Sequence, residues 1–161
     1  MTTRFINFIQ NKDQLFKIME GFPVTIRLLD PPLHEFVPHT DSEIAELAKR
    51  INYDEGRLKH KISSLHEFNP MLGHRGCRLA ITYPEIYQMQ ARAIAEAAAK
   101  LVSEGVKLVP EIMIPLVATA KELEVLRAQT IEVVEKVQKE KAIRFDYLVG
   151  TMIELPRAAV T

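Results

Sequence analysis

The stretch VTIRLLDPP, residues 24–32, decides how the rest of the chain is read. Val24, Ile26 and Leu28 alternate with Thr25, Arg27 and Leu29, and the second face is also fairly apolar, as in strands covered on both sides. Residues 24–30 therefore read as a strand, which Pro31-Pro32 ends abruptly. Two further runs have the same character. EIMIPLV, 111–117, reads as a short buried strand between Pro110 and Pro115, and FDYLVGTMIEL, 145–155, as a strand whose apolar run ends in Glu154.

Helical patterns separate these strands. Asn11 is placed to cap a short helix through about Met19, stopped by Gly21 and Pro23. Thr40 and Glu43 have capping-box spacing, with Ile44, Leu47, Ala48 and Ile51 on one face, and a second helix from near Asp54 carries Leu58, Ile62 and Leu65. HEFNPMLGHRGCRL, 66–79, reads as a loop. Thr82 and Glu85 suggest another box, with Pro84 in the first turn and a stripe of Ile86, Met89, Ala93, Ala97 and Leu101 ending at Gly105. Thr119 and Glu122 box the last long helix, with Leu123, Leu126, Val133 and Val137 facing inward. Strands alternating with helices argue for an α/β fold of parallel βα units. Three strands are too few for a closed barrel, so the chain reads as a piece of a parallel α/β domain cut at its ends, with a helical insert at about 38–66.

Composition narrows the function. The 161 residues are 47% hydrophobic and 26% charged, a globular composition, and such a length buries roughly 70% of the surface its unfolded form exposes. Lys plus Arg equals Asp plus Glu at 21 each, so no basic excess serves nucleic acid or an acidic membrane surface. Cys77, the single cysteine, excludes an internal disulfide and fits a reducing compartment. No apolar run has the length of a membrane span and the first residues are not a signal peptide, which points to the cytoplasm or an organelle matrix. The five histidines show no metal-ligand spacing, and no Walker or Rossmann fingerprint is present.

In parallel α/β proteins ligands gather at the C-terminal ends of strands. Arg27 and Asp30 fall at one such end, Glu154 at another, and folding the Gly73-His74-Arg75-Gly76 loop over the same rim adds Arg75. Two guanidiniums converging on one place suit a phosphate or carboxylate, since each offers a planar fork of donors. A carboxylate beside them suits Mg²⁺ bridging to a phosphorylated substrate. Each residue also has a plainer reading. Arg27 is equally placed as an edge ion-pair partner, and Arg75 as a helix cap, although its flanking glycines allow close backbone approach. Glu154 in an apolar strand needs a partner, a cation or an arginine such as Arg157. Cys77 reads as a small packing residue.

Longer motifs carry a resemblance. PVTIRLLDPPLHEF (23–36), LHEFNPMLGHRGCRLAITYPEIYQMQARAI (65–94), PEIMIPL (110–116) and GTMIELPRAA (150–159) resemble the phosphoenolpyruvate/pyruvate-binding domain of the PEP-utilising enzymes. The DPPLHEF and GHRGCRL wording is similar to the pyruvate, phosphate dikinases among them; phosphoenolpyruvate synthase and enzyme I of the bacterial sugar phosphotransferase system share less. The resemblance implies a (β/α)8 barrel that interconverts phosphoenolpyruvate and pyruvate with Mg²⁺, and 1–161 is then expected to be a partial (β/α)8 barrel truncated at both ends. It also implies a parent enzyme, a homodimer in the cytoplasm or a plastid stroma, whose phosphohistidine domain and ATP-grasp domain are its working partners. By the same resemblance Arg27 and Arg75 contact the substrate phosphate and Glu154 ligates Mg²⁺. A first-strand arginine, an Asn-Asp pair and a proton-donating cysteine of the family have no counterpart here. No residue of this chain is therefore expected to be catalytic on its own, Cys77 and the histidines included. The chain alone is expected to be inactive and to cover its open sheet by self-association. A half-barrel that serves only as a binding module is the alternative from another class.

Overall fold

A computed structural model describes residues 13–33, 36–65 and 69–161. The expected cap at Asn11, along with His34 and His66, lies outside the described residues. Among the described residues three parallel strands, β1 (Val24–Arg27), β2 (Pro110–Ile114) and β3 (Leu148–Thr151), form one sheet in the order β1-β2-β3. The register sets Thr25 beside Glu111 and Glu111 beside Leu148; one pleat further it sets Arg27 beside Met113 and Met113 beside Gly150. This is the expected α/β architecture of parallel strands with flanking helices.

Each strand is shorter than its apolar run, for identifiable reasons. Beyond Arg27 the N–H of Leu28 still bonds the Met113 carbonyl (2.9 Å), but the peptide groups of Leu29 turn to side chains of a helix. β2 stops before Pro115, which has no N–H for the ladder. The Phe145 carbonyl accepts from Gln138 Nε2 (2.7 Å), so β3 opens only at Leu148. At the other end Met152 donates to the Ile114 carbonyl (3.1 Å), the last partner that β2 offers.

The chain divides into two compact units, Met1–Leu29 with Gly76–Thr161, and Asp30–Arg75. In the first, the alternating side chains Val24, Ile26, Ile112 and Ile114 bury one sheet face together with Leu28 against Ile94, Leu101, Leu126, Val134 and Val137. The helices that supply this cover are α1 (described over 13–18, with Phe16 fully buried), α4 (Gly76–Thr82), α5 (Pro84–Ser103) and α6 (Ala120–Lys141), and the short α7 (Pro156–Val160) follows β3. Helix α6 has the expected capping box, in which Thr119 Oγ1 accepts the Glu122 N–H and the Glu122 carboxylate accepts the Thr119 N–H. Its buried line runs Leu126, Thr130, Val134 and Val137, so Val134 rather than Val133 faces the core.

The other unit holds two helices, α2 (Asp41–Ile51) and α3 (Glu55–Ser64). The Thr40-Glu43 box opens α2, Asn52 (φ 51°) turns the chain, and Asp54 caps α3 through the Arg57 N–H (2.8 Å). Ile44, Ala48 and Leu58 form their own small core with Leu47 and Ile62.

Three expectations need correction. Thr82 is not the N-cap of α5: it is the last residue of α4, and its hydroxyl donates back to the Arg78 carbonyl (3.1 Å). The break falls at Tyr83 (φ −130°, ψ 73°), because the residue before Pro84 is kept out of the helical region. Helix α4 itself occupies part of the stretch read as a loop. The stripe on α5 holds except at Met89, which is 43% exposed: Ala93, Ala97 and Leu101 are buried and Ile86 packs against the core. Burial also extends to Tyr87, Gln90, Ala91, Ile94 and Ala98, a wider face than the spacing marks, because alanines fill so many positions of this helix.

Gln90 is only 2% exposed because its side chain has work inside: Oε1 accepts the Leu29 N–H (2.7 Å). One turn earlier, Tyr87 Oη donates to the Leu29 carbonyl (3.1 Å). The segment leaving β1 is thus satisfied by α5 in place of the sheet. Tyr87→Phe should cost about 0.5–1.5 kcal/mol in urea unfolding, the net worth of one hydrogen bond. A midpoint matching wild type would show that the Leu29 carbonyl finds water instead.

Candidate phosphoryl and metal site

Arg27 is the final residue of β1 and points to the face opposite the core, where it is exposed. The row it heads continues through Met113 to Gly150, whose missing Cβ would meet nothing within 4 Å. One row below, the Thr25 hydroxyl donates to the Glu111 carboxylate, so this face carries polar groups at its inner level as well. An exposed guanidinium at a strand's C-terminal end, above a side-chain-free position two strands away, leaves room for an anion.

Glu154 lies three residues past the end of β3, not within the strand as expected, and it is half-buried. The structure supplies the partner that its burial demands, and it is a backbone amide: the Leu116 N–H donates to Oε1 at 2.7 Å. Leu116 follows β2 and has a left-handed backbone (φ 60°), rare for a branched side chain. Thr151 ties the neighbouring strand end down, its hydroxyl donating to the Ile114 carbonyl (2.8 Å). Arg27 thus ends β1 and Glu154 follows the C-terminal end of β3, with β2 between the two strands and neighbouring strands roughly 4.8 Å apart.

Arg75 belongs to the other unit, together with Asp30. Its Nε meets Asp30 Oδ1 at 2.6 Å, Nη2 meets Oδ2 at 2.8 Å, and Nη2 also reaches the Asp30 carbonyl at 3.0 Å. The side chains are 17% and 4% exposed. This fork-to-fork geometry holds the guanidinium plane in one orientation. The sequence placed Asp30 at a strand end but did not foresee it as the partner of Arg75, because the two are far apart along the chain.

Cys77, in α4, is fully buried. Burial, with Glu122 contributing, pushes its thiol up to about 11 from an ordinary 9.0, so it is a protonated hydrogen-bond donor and no nucleophile at neutral pH. Its Sγ donates to the Leu116 carbonyl at 3.0 Å, and its N–H to the Pro115 carbonyl at 3.2 Å. The sign of the pH effect follows. Between about 9 and 11 the unfolded thiol ionises while the folded one keeps its proton, so stability should fall as pH rises through that window and be complete below it. Denaturation midpoints against pH should lose this part of their slope in Cys77→Ala; an identical slope would assign it to other groups.

Among the described residues no group of three or more His, Cys, Asp and Glu side chains could hold a metal by itself. His60 is exposed on α3, and the exposed His39 uses its N–H on the Glu43 carboxylate (3.2 Å). Sequence reasoning missed Tyr87, Gln90 and Leu116 as residues that shape the strand ends. Gln90 left a trace, a polar residue at helical spacing between Tyr87 and Ile94. Leu116 left none, since nothing in Pro-Leu-Val announces a left-handed residue.

Parallel strands with flanking helices agree with what comparison with known proteins shows. The family described as PEP-utilising enzyme, PEP-binding domain, matches residues 3–161, and the chain belongs to it. More particularly, it is 57% identical over 148 residues to pyruvate, phosphate dikinase of Clostridium symbiosum, covering 91% of this chain and 17% of that protein. It is 59% identical to the Rhizobium meliloti (strain 1021) enzyme of the same name (91% and 16% covered), and 52% identical over 152 residues to the chloroplastic pyruvate, phosphate dikinase 1 of Arabidopsis thaliana (91% and 15%). The chain therefore spans about a sixth of the length of these relatives. No helix among the described residues is long and apolar enough to cross a membrane.

Proposed function

We propose that this chain contributes part of the phosphoenolpyruvate/pyruvate site of a pyruvate, phosphate dikinase, with Arg27 and Arg75 binding the phosphoryl group and Glu154 a divalent cation. The observation that carries the reading is identity above half with dikinases over 91% of the chain. The geometry supports it with an exposed guanidinium and a half-buried carboxylate at the C-terminal ends of one parallel sheet.

Mg²⁺ fits what Glu154 offers. A hard cation that keeps several waters is commonly held by one or two carboxylates plus substrate phosphates, so a lone anchored carboxylate suits such a site. Oε1 already accepts the Leu116 N–H, and Oε2 is the oxygen left for the ion. When bound, the ion would supply charge neutralisation at the enolate oxygen. The protein's own part is positioning and electrostatics. Arg27 and Arg75 hold phosphoryl oxygens while negative charge moves toward the enolate, and Asp30 keeps the Arg75 fork oriented.

The same reading makes the phosphohistidine and ATP-grasp domains the partners of this site, in a homodimeric enzyme of the cytoplasm or a plastid stroma. It also leaves 1–161 a partial barrel. Among the described residues β1 and β3 each have one strand neighbour, so the chain alone should self-associate along these edges and show no turnover, which light scattering and a turnover assay would check. For the site itself, phosphoenolpyruvate titrated with Mg²⁺ into labelled chain should shift the amide resonances of Arg27 and of residues 150–154. Saturating ligand with those resonances unmoved would overturn the assignment.

A further inference from the structure

Cys77 grips both peptide groups that flank Leu116. Its N–H donates to the Pro115 carbonyl, which belongs to the same peptide group as the Leu116 N–H on Glu154 Oε1. Its Sγ donates to the Leu116 carbonyl, which belongs to the next peptide group. With the two groups held, φ and ψ of Leu116 are both determined, and this residue needs it: a left-handed non-glycine backbone is strained and persists only where its surroundings enforce it. The Leu116 and Val117 side chains, 2% and 4% exposed, close the turn off from water. The first peptide also forms a chain of donors ending on a carboxylate, in which each bond polarises the next.

We propose that Cys77 is a positioning residue for Glu154. Holding the Leu116 carbonyl keeps the turn left-handed, which aims the Leu116 N–H at Oε1 and leaves Oε2 turned to a divalent cation. This rests on the reading of Glu154 as a metal ligand. Without the thiol, a buried carbonyl loses its partner, Leu116 relaxes toward the extended region, and the N–H swings off the carboxylate. A purely packing role would instead depend on side-chain volume and not on a donor.

The test compares wild type, Cys77→Ala and Cys77→Ser, with Mn²⁺ alone as the probe. Amide hydrogen exchange at Leu116, measured against buried amides of α6 that report global opening, should speed up by roughly fivefold in Cys77→Ala. The Mn²⁺ dissociation constant, read from paramagnetic broadening at residues 152–155, should rise about tenfold, as for other groups that orient metal ligands. Cys77→Ser, which keeps a donor in a smaller side chain, should restore both. Unchanged Leu116 exchange in Cys77→Ala would overturn the proposal, as would faster exchange with unaltered Mn²⁺ affinity. No broadening at residues 152–155 in wild type would instead overturn the metal reading of Glu154 on which the proposal stands.

Discussion

Arg75→Ala should destabilise the chain by about 3–5 kcal/mol, the cost typical of breaking a buried ion pair from one side. The loss falls on what remains. Asp30, 4% exposed, would lose bonds to Nε and Nη2 and keep a charge that water reaches poorly. Asp30→Ala should cost less, because Arg75 is 17% exposed and can hydrate part of its guanidinium. Arg75→Lys keeps the charge but not the fork, and should fall between the two. Urea unfolding of the three variants gives the order directly. Equal midpoints for wild type and Arg75→Ala would mean that the pair does not form in solution.

Arg27→Ala should behave in the opposite way. The side chain is exposed at a strand end, so its removal should change stability by no more than about 0.5 kcal/mol. Phosphoenolpyruvate binding should weaken by about 1.5–3 kcal/mol, roughly 10–150-fold, the worth of hydrogen bonds to a charged group. Calorimetric titration beside a melting curve separates the effects. A lowered melting temperature with unchanged affinity would make Arg27 a structural ion-pair residue, the plainer reading that its place in a strand allows. Together the two arginines test two ways of presenting a guanidinium to the same phosphoryl group: Arg75 embedded and oriented by Asp30, Arg27 exposed at a strand end.

Much of the fold was legible because its signals are local. Alternation at Val24-Thr25-Ile26-Arg27 marks β1, and the Thr40-Glu43 and Thr119-Glu122 pairs mark helix starts, since a capping box is made by residues three apart and needs no tertiary partner. The same signal misled at Thr82-Glu85, where the restriction that Pro84 imposes on Tyr83 moved the boundary by one residue. Strand ends were overread because apolar runs continue past the last ladder bond.

The candidate site divides along the same line. That Arg27 and Glu154 sit at strand ends was in the sequence, because strand polarity and residue order decide it. What each side chain meets there was not. The pairing of Asp30 with Arg75, the amide of Leu116 on Glu154, the thiol of Cys77 on the Leu116 carbonyl and the capture of Leu29 by Tyr87 and Gln90 join residues 38 to 61 positions apart. Periodicity reports which face of an element is apolar. Only the packed tertiary structure decides which buried polar group satisfies which, because every such group must find a partner once water is excluded and several candidates are equally compatible with the sequence.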